Sequence, residues 1–243
     1  MKFKTLHRWD LSPQEAISLQ KKLASRIVAR GKVKNPRLIA GCDISSSVHS
    51  DQARASVVVL AFPDLETVEE KVVKGKVGFP YVPGLLSFRE GPLLLKAFSL
   101  LESDPDLIFF DGQGIAHPRR FGLASHLGLW LDRPSIGCAK SRYIGEYKEP
   151  GKKRGESSPL KDKNGEIIGA VLRTRGGVKP IFVSVGHKVD LGDAVRLTLA
   201  VHGGYRIPRP TRRAHNLLSN LSSPPTLVPP DNSERIFGAS AGA

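Results

Sequence analysis

Leu38-Ile39-Ala40-Gly41-Cys42-Asp43-Ile44 is an apolar run of strand length with one carboxylate inside it. A second run, Leu107-Ile108-Phe109-Phe110, is closed by Asp111 and followed at once by Gly112-Gln113-Gly114. Short apolar runs of this kind, bounded by turn residues, read as buried strands. An acid inside or capping a buried strand is costly unless its charge is compensated. A divalent cation is the usual compensation, and carboxylate oxygens suit Mg2+ or Mn2+. A third acid, Glu90, ends the segment Pro80-Tyr81-Val82-Pro83-Gly84-Leu85-Leu86-Ser87-Phe88-Arg89-Glu90.

Working outward, Ser12-Pro13-Gln14-Glu15 carries a capping-box pattern with proline at the first helical position. Ala16, Leu19, Leu23 and Ile27 then follow helical spacing, with Ile17, Ala24 and Val28 widening the face and Gly31 ending the run. Ala53–Phe62 and Thr67–Val77 read as a hairpin turning at Pro63-Asp64. A helix is expected from about Ser87 to Leu101, beginning nearer Gly91 or bending there because Pro92 lacks a donor. Further expectations are a short helix at Leu123–Leu131 and strands at Ser135–Ala139, Ile167–Leu172 and Ile181–Ser184. A helix at Asp193–His202 closed by Gly203-Gly204 and a last helix through Arg212–Leu218 complete the series. Three early strands, then strands alternating with helices, describe an α/β domain: a mixed β-sheet flanked by helices. No internal repeat is visible. Tyr147–Lys163, rich in Lys, Glu, Gly and Ser, reads as a mobile loop. Residues 222–243 hold few apolar anchors and read as a disordered tail, leaving 1–221 as one domain.

The 243 residues carry 37 Lys+Arg against 23 Asp+Glu, a net charge of +14. That balance favours a polyanionic partner, nucleic acid ahead of an anionic membrane surface. Basic clusters fall at Lys152-Lys153-Arg154, Arg173-Thr174-Arg175 and Arg206 through Arg213; any one alone reads as a solvated loop. No apolar stretch has the length of a membrane span, and the N-terminus lacks a signal-peptide core, so a cytoplasmic location is expected. Cys42 and Cys138 sit in apolar runs and read as buried hydrophobes in a reducing compartment.

Acids in separate strands, with basic groups nearby, suit metal-assisted phosphodiester cleavage. Asp43, Asp111 and Glu90 form a candidate metal cage. Lys140, in Gly137-Cys138-Ala139-Lys140-Ser141, is a candidate cation for the phosphate, and His215 a candidate to orient water or assist a metal. Each has a plainer reading. Asp43 can cap a turn before Ser45-Ser46-Ser47; Asp111 can shape an Asp-Gly turn; Glu90 can complete a capping box with Ser87. Lys140 and His215 can be solvated surface groups. Pro80-Tyr81-Val82-Pro83 is either a rigid surface turn or a wedge that enters a base stack, with Gly84 letting a base approach the backbone.

These segments together resemble the endonuclease V family. The carriers are Ala40–Ile44, Pro80–Glu90, Asp111–Gly114 with His117-Pro118-Arg119-Arg120-Phe121-Gly122, Gly137–Ser141, Ser184-Val185-Gly186-His187, and Arg209-Pro210-Thr211-Arg212-Arg213-Ala214-His215. Six motifs in this order are specific, and no key position departs from the pattern. The resemblance implies a ribonuclease H-like single domain and a Mg2+-dependent hydrolase, with Mn2+ as a substitute ion. It implies nicking of DNA at the second phosphodiester bond 3′ of deoxyinosine, the product of adenine deamination, with inosine in RNA as a second target. By the same resemblance Asp43 and Asp111 are metal ligands, Glu90, Lys140 and His215 complete the catalytic set, and Pro80, Tyr81, Val82 and Pro83 are the wedge. Gly84, Leu86 and Gly112 line a pocket for the flipped base. A monomer is expected. The rivals are another ribonuclease H-like nuclease, disfavoured by the wedge motif, and a non-catalytic nucleic-acid-binding protein. Acids beside phosphate would serve the latter no purpose.

Overall fold

The computed structural model describes residues 1–46 and 51–221, so the tail expected at 222–243 lies outside the described residues. The first helix, α1 (Pro13–Ala24), opens with the expected box: Ser12 Oγ accepts from the Glu15 N–H, and Glu15 Oε2 accepts from the Ser12 N–H. It stops before Ile27 and Val28. The Val28 backbone is claimed elsewhere, donating to His187 Nδ1 at 3.3 Å and accepting from the Lys188 N–H at 2.7 Å. Tertiary hydrogen bonds thus override the helical pattern.

Strands β1 (Leu38–Ser46), β2 (Gln52–Ala61) and β3 (Thr67–Lys76) form an antiparallel meander. Helix α2 (Leu86–Ser99) leads to β4 (Leu107–Phe110), which pairs parallel with β1. Helix α3 (Leu123–Leu131) leads to β5 (Ser135–Ala139), parallel with β4. Strands β6 (Ser157–Lys161), β7 (Ile167–Leu172) and β8 (Ile181–His187) extend the sheet antiparallel. The result is one eight-stranded mixed sheet of order β3-β2-β1-β4-β5-β8-β7-β6, and the mixed sheet flanked by helices is as expected of a ribonuclease H-like domain. The last helices are α4 (Leu191–Ala200) and α5 (Arg209–Asn220).

Side chains alternate across a strand, so each buried strand feeds two cores. Cys42, Val57 and Phe110 pack on one face with Leu94, Phe98 and Leu127 of α2 and α3. Ile39, Phe109, Ile136 and Cys138 pack on the other with Leu197 of α4 and Ala214 of α5. Both cysteines are free and buried, as expected.

Four readings are corrected. Helix α2 starts at Leu86 and runs through Pro92, whose missing N–H costs the Phe88 carbonyl its partner. Buried Leu93, Leu94, Leu95 and Phe98 hold the helix together past that point. Ser87 makes no capping box with Glu90; its hydroxyl bonds His126 instead. The stretch Tyr147–Lys163 contains β6, an edge strand that buries only Leu160 and so leaves no alternating pattern to read. Arg173 is buried rather than presented to a polyanion, donating to the carbonyls of Gly151, Pro150 and Val178 and to Glu149.

Candidate active site

The three parallel strands β1, β4 and β5 end at the same edge of the sheet. Cys42 pairs with Phe110, and Phe110 with Gly137. Asp43 and Asp111 therefore stand one residue past an aligned pair, and Lys140 directly follows β5. In open α/β sheets this carboxyl edge is where ligands bind. Asp43 lies within β1, so its turn-capping reading is withdrawn. It shares a face with Gly41, at which an added Cβ would sit 2.2 Å from the Pro210 carbonyl carbon. That close approach of α5 brings His215 Nδ1 to 2.8 Å from Asp43 Oδ2. Ser56, paired with Asp43 in β2, fixes the same helix by donating to the Ala214 carbonyl at 2.9 Å.

Lys140 Nζ lies 2.5 Å from Asp111 Oδ2. Glu90 reaches the edge from α2, on the opposite face of the sheet. Burial, then the charge of Asp43, pushes its carboxyl up to about 8. Burial also raises Asp43, opposed by the His215 bond and assisted by Asp111. Cys42, between them, has its thiol raised by burial and then by Asp43, Glu90 and Asp111 together. The three acids thus share one electrostatic neighbourhood. Among the described residues, no three His, Cys, Asp or Glu side chains already converge as a metal cluster; Asp43 and Asp111 are each engaged by a cationic or imidazole partner.

Beside the acids opens a cleft of about 430 Å3. Tyr81, Val82, Pro83, Gly84 and Leu86 form one wall, and Asp111, Gly112 and Lys140 another. Pro80 is exposed at the start of the loop, and Tyr81 is 61% exposed at its tip. A second hollow, lined by Asp43, Ser45, Ser46, Lys140 and His215, meets the first at Lys140. Every candidate site residue except Pro80 and Glu90 lines one of the two hollows.

Four residues of this region carried no assignment from sequence. Gly84 has φ +82°, and its carbonyl accepts from Gln20 Nε2 at 2.9 Å, His117 Nε2 at 3.1 Å and Arg119 at 2.8 Å. A Cβ at Gly84 would lie 2.5 Å from the Arg119 guanidinium. Burial, then Arg119, lowers His117 to about 4, so the ring is neutral and its Nε2 carries the donated proton. The base of the Pro80–Pro83 loop is therefore pinned to α1 and to the segment after β4. Tyr143, 43% exposed, also lines the cleft; its ring stands 5.6 Å from that of His117, and its hydroxyl would lie 3.1 Å from a Cβ at Gly84. Gln20 had a signal: it is a polar residue on the buried face of α1 with Ala16 and Leu23.

Residues 21–216 match the sequence profile of endonuclease V. The chain belongs to the endonuclease V family. Its members are nucleases, hydrolases acting on DNA, so the edge just described belongs to an enzyme of that class. An endonuclease V of Dehalococcoides mccartyi is 53% identical over 221 residues, spanning 91% of this chain and 99% of that protein. The crystal structure of endonuclease V from Streptomyces avermitilis is 43% identical and superposes with a TM-score of 0.83, covering 88% of this chain and 96% of that one. A Ciona intestinalis endonuclease V was crystallised with a 24mer DNA containing an inosine followed by a ribo-adenosine. It is 29% identical, with a TM-score of 0.77, over 86% of this chain and 97% of that one.

Proposed function

We propose that this protein is a Mg2+-dependent enzyme that recognises deoxyinosine in DNA and cleaves the second phosphodiester bond on its 3′ side, initiating repair. The observation that carries the reading is the meeting at Lys140 of the 430 Å3 cleft, which Asp111 also lines, and the hollow lined by Asp43 and His215. The inosine-containing DNA held by the Ciona relative supports the same substrate.

The donor set fits a hard divalent cation. Asp43 and Asp111 offer oxygen ligands at one strand edge; burial raises the Asp43 and Glu90 carboxyls, and at Asp43 the His215 bond offsets that only in part. Asp43 and Asp111 would hold the ion, with Glu90 beside them; Mn2+ is the expected substitute. When bound, such an ion supplies Lewis-acid stabilisation and lowers the pKa of a bound water.

The protein's own groups do the rest. Lys140, within reach of both hollows, places a positive charge where the scissile phosphate would lie. His215 holds Asp43 in place and faces the second hollow, where it can orient the attacking water. Tyr81, on a loop stiffened by Pro80 and Pro83 and pinned at Gly84, inserts into the stack while the flipped base enters the cleft beside Gly84, Leu86 and Gly112. Extrusion costs least for a poorly paired base, which helps select the lesion. Inosine in RNA, which carries the same base, is proposed as a second substrate. The working unit is a cytoplasmic monomer whose nuclease domain is residues 1–221.

The test is end-mapping of an inosine-containing oligonucleotide after incubation with and without Mg2+. Cleavage only with the ion, one nucleotide beyond the lesion's own 3′ phosphate, is expected. Metal-independent cutting, or equal cutting of the adenine control, would refute the reading.

A further inference from the structure

Ser87 lies in the wall of the base cleft and is only 2% exposed. Behind it runs a chain of hydrogen bonds. Ser87 Oγ lies 2.8 Å from His126 Nδ1, His126 Nε2 lies 2.7 Å from His7 Nε2, and His7 Nδ1 lies 2.7 Å from the Arg8 carbonyl oxygen. The rings are packed among Trp9, Phe88 and Trp130, which fix their orientation.

The last link sets the direction of all the others. A carbonyl oxygen only accepts, so His7 Nδ1 carries the hydrogen. Burial favours the neutral form of both imidazoles, lowering His7 and driving His126 well below its ordinary range. His7 Nε2 must then accept, His126 Nε2 must donate to it, and His126 Nδ1 is left as an acceptor. The Ser87 hydroxyl has one hydrogen, and it goes to His126. Toward the cleft Ser87 can offer only lone pairs.

We propose that Ser87 is a specificity-determining residue: fixed as an acceptor by the His126–His7–Arg8 chain, it selects a base with a ring N–H and rejects one with a ring-nitrogen lone pair at the same place. This rests on the base-cleft reading above and deepens it. Hypoxanthine differs from adenine in that way. Its six-membered ring carries an N–H beside a carbonyl, whereas the matching adenine nitrogen is an acceptor. An acceptor facing an acceptor leaves two buried lone pairs unpaired, a mismatch that polar sites reject strongly.

Binding of single-stranded oligonucleotides carrying one inosine, one adenine, or one unsubstituted purine (which lacks both the ring N–H and the carbonyl) tests the idea by fluorescence anisotropy, with Ca2+ in place of Mg2+ to prevent cleavage. Single strands remove the cost of breaking a pair. Wild type should prefer inosine to purine. Ser87→Ala should weaken inosine binding about tenfold, the loss of one buried hydrogen bond, and leave purine binding within about twofold. An equal loss on both, or no loss on inosine, would overturn the proposal while leaving the cleft reading intact. If wild type fails to separate inosine from adenine, the cleft reading falls and this one with it. Long-range proton–nitrogen NMR correlations on the wild-type protein give an independent check that needs no variant. They should show His126 protonated at Nε2 and bare at Nδ1; the opposite tautomer would overturn the relay.

Discussion

The two ends of the parallel strands treat their acids differently. At the amino end, Asp106 precedes β4 and its Oδ2 accepts from the backbone N–H groups of Arg37 and Leu38 at 2.7 and 3.0 Å. Nearby, the buried Asp193 accepts from the Val33 N–H at 2.7 Å and pairs with Arg196. Those carboxylates are held by fixed donors and stitch the chain together. At the carboxyl end, Asp43, Glu90 and Asp111 crowd one edge, and two of them have their proton affinity raised. Burial of an acid is therefore not itself the mark of function. The mark is burial that the surrounding protein compensates only in part, so that proton affinity stays raised at Glu90 and, despite the His215 bond, at Asp43.

Neutralising the two ends should break this contrast if it is wrong. Asp43→Asn and Asp111→Asn are each expected to lower single-turnover nicking by about a thousandfold or more with the folded state intact, as the loss of a proposed metal ligand would. Asp106→Asn and Asp193→Asn should do the reverse, costing about 1–3 kcal/mol of stability through weakened backbone bonds and leaving the rate nearly unchanged. Denaturant midpoints and gel-based rates on the four variants decide between these outcomes. Lys140→Ala should slow the single-turnover rate about a hundredfold while binding changes little, because its charge is assigned to the reacting phosphate. Equal losses in rate and affinity would reduce Lys140 to a positioning contact.

Glu90 sharpens the contrast through pH. Its folded value, about 8, lies above the unfolded value near 4.5. The folded state therefore holds the extra proton between those limits, and stability from this group is present below the lower one and lost as pH rises through the upper. Glu90→Gln should consequently stabilise the metal-free protein at pH about 8, by about 2 kcal/mol, with the gain vanishing near pH 4.5. Thermal melts in chelator at several pH values read this out; a loss of stability at high pH would mean that Glu90 is held by donors as Asp106 is. The smallest effect concerns the cleft beside the acids. Tyr81→Ala should weaken binding of inosine-containing duplex by about tenfold and spare inosine-containing single strands, as expected for a ring that replaces stacking in an opened duplex. Equal losses on both substrates would show that Tyr81 contacts substrate without separating strands.

The sequence made Asp43 and Asp111 legible because an acid in an apolar run contradicts its surroundings. Seven of the eight strands and all five helices followed from period and punctuation. What stayed hidden depends on long-range pairing. The one-step register of β1 on β4 aligns the two aspartates, and nothing local encodes it. The approach of α5 through Gly41 and the grip of Gln20, His117 and Arg119 on the Gly84 carbonyl join segments far apart in the chain. His7 and His126, 119 residues apart, gave no sign of meeting. Strand β6 was missed because an edge strand with one buried residue has no period to detect.

In the proposed function the crowded carboxyl-end acids hold a divalent cation. Calorimetric titration with Mn2+ at pH about 7.5, in two buffers of different ionisation enthalpy, tests it most directly. Saturable binding that releases protons is expected, because Glu90 is largely protonated there until positive charge arrives. Asp43→Asn and Asp111→Asn should abolish the binding, and Glu90→Gln should bind without that proton release. Binding that survives both aspartate variants, or no binding by the wild-type protein, would contradict it.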